Sequence, residues 1–220
     1  DEVFGGYPWF HREDMLSSGT FPWTPSLAPR KALLAADLTE ALHMEEYVKK
    51  TYNTAISEIN VLPEENETET NRRRIGYLNI RFFMQTLLNR MDRTSMFSGL
   101  EARVPFADKK LVSYVFNIPW EMKAKGGVVK NILRHASDGL LPDEILYRRK
   151  SPYPKTYHPY YETLLSDRLK NVLAGSDSPL KPLLNDTAVK RFLDNPKDYG
   201  SPWYGQLMAG PQMIAYLLQI

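Results

Sequence analysis

The stretch from about Arg72 to Asn89 constrains the fold most, because Ile75, Leu78, Phe82, Met84, Leu87 and Leu88 recur at helical spacing and cover more than one face. A helix with apolar residues on several sides must be packed on several sides, so this one is expected at the centre. Other segments follow the same period. Leu33, Leu34, Leu38, Leu42, Val48 and Ile56 predict one or two helices over 30–60, and Asp108 stands at an N-cap before Leu111, Val112, Val115 and Phe116, with Pro119 closing the element. Further helices are predicted over Val128–Ala136, over Leu141–Leu146, over His158–Ala174 up to Gly175, from a cap at Asn185 through Leu193, and over Pro211–Ile220. No segment alternates apolar and polar residues, so the predicted class is mainly α with few or no strands. Residues 1–29, rich in aromatics, Gly and Pro, read as a loop-rich entry segment, residues 30–220 as the helical part, and the acidic run 63–70 as a mobile surface connection.

With 220 residues and 43% apolar side chains, the chain can bury a core the size of one large domain or one and a half ordinary ones. Its formal net charge of +2 gives no whole-chain case for nucleic acid or an anionic membrane. No apolar run approaches the roughly 18 residues that would span a bilayer. The absence of cysteine excludes disulfides and a thiolate nucleophile within this sequence and is compatible with the cytoplasm. Charge is nevertheless unevenly spread. Residues 121–155 carry eight Lys and Arg against four Asp and Glu, which favours a small anion over a long polyanion.

Three constellations can carry chemistry. Arg90, Asp92, Arg93, Glu101 and Arg103 fall in a run that otherwise reads as buried helix and loop, and buried ions must neutralise one another. They are expected either to pin the end of the long helix by ion pairs or to stiffen a ligand cleft. Lys130 and Lys150, separated by a helical hairpin, can converge on one phosphate and stabilise the charge that builds as an adenylate forms, and the loop Ser151–Thr156 can close over them. Solvated loop lysines would give the same spacing. Asp1 and Glu2 beside Gly5-Gly6 can hold Mg²⁺ through one or two oxygens while phosphates supply the rest. His11, His43, His135 and His158 have no ligand spacing, and Arg72-Arg73-Arg74 reads as a solvated helix start.

Asp1-Glu-Val-Phe-Gly-Gly-Tyr7, Arg93-Thr-Ser-Met96, Gly99-Leu-Glu-Ala-Arg-Val-Pro-Phe106, Lys130-Asn-Ile-Leu-Arg134, Leu141-Pro142 and Arg148-Arg-Lys150 occur in this order. Together they resemble, over nearly the entire chain, the C-terminal half of the synthetase domain of glutamine-hydrolysing asparagine synthase. The resemblance implies the helical C-terminal portion of a pyrophosphatase-loop ATP-dependent synthetase domain. Its activity would be the amidation of aspartate to asparagine through a β-aspartyl-adenylate, with ATP and Mg²⁺, using ammonia released from glutamine by an N-terminal glutaminase domain. It further implies that Asp1 is a Mg²⁺ and pyrophosphate carboxylate, that Lys130 contacts phosphate, that Lys150 stabilises the adenylation transition state, and that Asp92, Glu101 and Arg103 support the site.

The cysteine-bearing domain, the Ser-Gly-Gly-x-Asp-Ser phosphate loop and the nucleotide-binding half are missing, so the chain reads as a fragment, inactive alone, whose partners are those parts of the same polypeptide. A homodimer is left open. Two alternatives stand beside this reading: a β-lactam synthetase or related amidotransferase acting on another carboxylate, and a helical module binding RNA or a protein partner. Near-neutral charge and the lack of interleaved aromatic and basic residues disfavour the last.

Overall fold

A computed structural model of the chain describes residues 1–149, 158–195 and 210–220. Among them the secondary structure is helical without strands, and the one β contact is an isolated antiparallel bridge between Leu34 and Leu184. The described residues fall into two compact units, Asp1–Pro22 with Tyr52–Ser151 and Trp23–Thr51 with Pro152–Ile220, so the entry segment is shared between the two.

In the first unit the central helix begins earlier than its apolar periodicity indicates. Asn66 accepts from the Glu69 backbone N–H at 2.9 Å and the Glu69 carboxylate accepts from the Asn66 N–H at 3.3 Å, a reciprocal capping box. The helix runs over Glu67–Leu78, widens into a π-helical segment at Asn79–Met84, and continues over Gln85–Phe97. Half of the stretch read as a mobile connection is therefore helix, with Thr70 buried and Glu65 gripped by the Arg73 guanidinium (Nε–Oε1 2.7 Å, Nε–Oε2 2.9 Å). The arginine run is also not simply solvated. Arg72 lies 4.6 Å from the Trp120 ring centroid and donates to the Phe10 carbonyl, and Arg73 donates in addition to Asn117.

The aromatics of the entry segment build the core around this helix. Val3, Phe4, Trp9, Phe10 and Phe21 are buried. Tyr7 stacks on Trp9 at 4.4 Å, Trp9 meets Phe83 edge-on at 5.5 Å, Phe10 stacks on Trp120, and Phe21 meets Phe82. Asp108 caps the helix Lys109–Phe116 as expected, accepting from the Lys110 and Leu111 N–H groups, and Val115 of that helix packs with Val3 and Phe4.

The charged run corrects the expectation drawn for it. Asp92, Arg93, Glu101 and Arg103 are exposed, Phe97 beside them is 95% exposed, and within the run the one ion pair is Glu101–Arg103 at 3.0 Å. Hydrated ions need no partners, so no neutralising network forms. Local periodicity signalled burial there, but no described element covers these residues.

The second unit closes around Leu33, Leu169, Val189, Phe192, Ile214 and Leu217, all but inaccessible to solvent. The helices Pro159–Ala174, Asp186–Asp194 and Gly210–Leu217 supply five of the six. His158 and Asn185 cap the first two, accepting from Tyr160 and Ala188 N–H groups at 3.2 and 3.0 Å.

Lys123, in the first unit, is partly buried and donates to the Phe116 carbonyl at 3.3 Å. Burial, with Arg73 adding repulsion, pushes its pKa down to about 8 from the ordinary 10.5. Between these two values the unfolded chain holds a proton that the folded chain lacks, so folding stability should rise with pH across that window. Lys123→Met is expected to stabilise the first unit at pH 7, with a gain that shrinks by pH 10. Denaturant titrations at the two pH values check this, and a gain independent of pH would contradict it.

Candidate functional site

Gly5, at φ +67°, turns the chain so that Gly6 N–H donates to the Asp1 carbonyl at 2.8 Å, bending residues 1–6 into a tight loop. The loop is fixed from behind, where the Tyr7 hydroxyl donates to Glu2 at 2.6 Å. Burial, together with that carboxylate, raises the Tyr7 pKa and keeps the hydroxyl protonated. Out of the loop comes Asp1, whose Oδ1 lies 2.6 Å from Lys130 Nζ, both side chains mostly shielded from solvent.

Lys130 holds this position at a conformational cost. It stands just before the helix Asn131–Ala136 with φ +59° and ψ +34°, left-handed backbone that costs a residue with a Cβ about 1–2 kcal/mol. Strain of this kind persists where the surrounding structure over-determines it. Gly6 is the other half of the fit. A Cβ there would overlap both the Asp1 carboxylate and the Lys130 stem, so only glycine leaves room for the pair. Desolvation, partly countered by Glu2, lowers the Lys130 pKa.

The pair sits in a cleft of about 600 Å³ whose polar wall includes Lys130, Arg134, Arg148 and Arg149, over a floor that includes Phe106, Leu133 and Leu146. Arg134 is a strut: Nε donates to the Val129 carbonyl at 3.0 Å and Nη1 donates to the Leu146 carbonyl, tying the Lys130 segment to the turn Asp143–Leu146. Arg148 and Arg149 are exposed, with guanidinium groups open to a ligand. One carboxylate against four cations makes the cleft an anion site.

Of the residues expected from the sequence, Asp1 and Lys130 are brought together. Asp92, Glu101 and Arg103 do not line the cleft. Lys150 and the loop Ser151–Thr156 lie outside the described residues, although Arg149, the residue before Lys150, lines the cleft. Arg134, Arg148 and Arg149 were not singled out, and the basic excess over 121–155 was the signal that could have found them. Among the described residues no group of three or more His, Asp or Glu side chains could hold a metal. Asp1 alone suits Mg²⁺ arriving on phosphates, since that ion characteristically takes one or two carboxylates and draws its other ligands from phosphate and water.

Comparison with known proteins identifies the family. A family model described as asparagine synthase matches residues 1–219. Asparagine synthetase [glutamine-hydrolyzing] 3 of Bacillus subtilis is 48% identical over the whole chain, which covers 36% of that protein. Asparagine synthetase [glutamine-hydrolyzing] 1 of the same organism is 28% identical over 81% of the chain and 33% of its own length. The human asparagine synthetase [glutamine-hydrolyzing] is 43% identical over 67 residues, 29% of the chain and 12% of that protein. The chain thus spans about a third of the length of the first two relatives.

Three substitutions separate geometry from charge. Lys130→Gly should be more stable than Lys130→Ala by about 1 kcal/mol, because only glycine escapes the left-handed strain, and equal stabilities in urea titrations would argue against the strain. Gly6→Ala should push Asp1 and Lys130 apart, and a crystal structure of that variant retaining the 2.6 Å contact would contradict the close fit.

Proposed function

Since this chain belongs to the asparagine synthase family, we propose that it supplies the phosphate-facing wall of an ATP-dependent, glutamine-using amidation of aspartate to asparagine. The observation that carries the reading is the Asp1–Lys130 pair set in a basic cleft. Adenylation of a carboxylate places negative charge on the α-phosphoryl oxygens and on departing pyrophosphate, and fixed cations stabilise that charge more than the ground state.

Lys130 meets the phosphate oxygens, and Asp1, 2.6 Å away, aims its ammonium, while desolvation pulls its pKa down and the charge of Glu2 partly counters that. Arg148 and Arg149 neutralise pyrophosphate from the open side, and Arg134 holds Lys130 and the Asp143–Leu146 turn in register. Lys150, next in the chain, acts on the same charge and is the catalytic lysine of this proposal. Mg²⁺, when bound, neutralises phosphate oxygens next to Asp1. The acyl adenylate then yields to ammonia generated from glutamine in the same protein, with AMP leaving. Asp92, Glu101 and Arg103, exposed and clear of the cleft, are left a supporting part at most. Among the described residues no helix is long and apolar enough to cross a membrane, which fits the cytoplasmic location proposed for this chemistry.

In the complete protein, Lys130→Ala and Lys150→Ala should each lower aspartate-dependent AMP formation by about 100-fold or more, the usual scale for losing a group that stabilises transition-state charge. Glutamine hydrolysis should persist. AMP formation at the wild-type rate in either variant would overturn the role given to that lysine.

A further inference from the structure

A second cavity of about 290 Å³ opens within the first unit, on another set of residues. Lys123 lines it, and so do Glu2, Glu64, Glu65, Glu69, Arg72 and Arg73. Nearly all of these charges are already committed. Glu65 is held by Arg73, Glu2 accepts from Tyr7, Glu69 closes the capping box, and Arg72 lies over Trp120. Glu64 is exposed. Lys123 differs from them: its ammonium donates to one backbone carbonyl, and no carboxylate pairs with it among the described residues. A partly desolvated cation facing an open cavity without a counter-ion is a place for an anion.

The rest of the lining narrows the chemistry. Val3, Leu62, Ile80, Phe116, Ile118 and Trp120 give the cavity an apolar body, which suits a hydrocarbon tail and not an inorganic ion. One uncommitted cation, in a lining that also carries Glu64 and Glu69, matches a single negative charge and repels a second. The volume is about ten times the ~30 Å³ that one water molecule occupies, room for a short-chain acid. We propose that this cavity binds a small monocarboxylate with an apolar tail, its carboxylate on Lys123 and its tail against Ile118 and Phe116, separate from the cleft of Asp1 and Lys130.

Reductive methylation of the complete protein, read lysine by lysine by mass spectrometry, tests this with exposed Lys125 as the internal reference. With its pKa lowered to about 8, Lys123 should react readily at pH 7.5. Sodium butyrate at about 20 mM should slow it about 20-fold if the Kd is near 1 mM, leaving Lys125 unchanged. Acetate should protect less, and neutral n-butanol not at all. The proposal is overturned if Lys123 does not react, if butyrate leaves its rate unchanged, or if inorganic phosphate protects as well as butyrate does.

Discussion

The contact between Asp1 and Lys130 is the constraint on which the site rests. It joins a glycine turn at one end of the chain to a residue just ahead of a short helix, and both partners are mostly shielded, so removing either would leave a charge desolvated without its counter-ion. The backbone accommodates it twice over. Gly6 leaves out the one carbon that would separate the groups, and Lys130 accepts a left-handed conformation that it could avoid if its side chain had nothing to reach. Strain at a charged residue in a basic cleft is what a site organised for function, and not for stability alone, is expected to show.

Everything behind that contact is ordinary packing arranged to hold it still. The capped helix from Glu67 places Arg72 and Arg73 against Trp120 and Glu65, and the aromatics of residues 4–21 close over Phe82 and Phe83. Val3 and Phe4, two and three residues beyond Asp1, are core residues against Val115, so the acidic loop is anchored by apolar burial worth a few kcal/mol on the usual scale of about 1.5–3 kcal/mol per large side chain. Arg134 performs the same service for Lys130 by bonding two backbone carbonyls.

Helix existence was legible in the chain wherever apolar period and cap agreed, as at Asp108 and Asn185, because both signals are local. The start at Asn66 was obscured by acidic composition, although the Asn66–Glu69 spacing that caps it was present, and the π-helical segment at Asn79 left no trace in periodicity. The burial expected for the run from Arg90 to Phe106 is not met among the described residues, because an apolar period cannot report what lies above it. Of the site, Asp1 and Lys130 were marked as candidates by their motifs, but their meeting is a long-range fact that no spacing rule contains. The arginines at 148 and 149 stood in a motif and in a local charge excess, but neither gave them a direction until the cleft did.

The Asp1–Lys130 pair is held to serve adenylyl transfer and not merely the fold, and ATP–pyrophosphate exchange measures that step without the later attack of ammonia. In the complete protein carrying Asp1→Asn, which keeps the side-chain shape and removes the charge, aspartate-dependent exchange should fall about 100-fold or more while circular dichroism and glutamine hydrolysis stay at wild-type levels. Exchange at the wild-type rate in that variant would contradict the account.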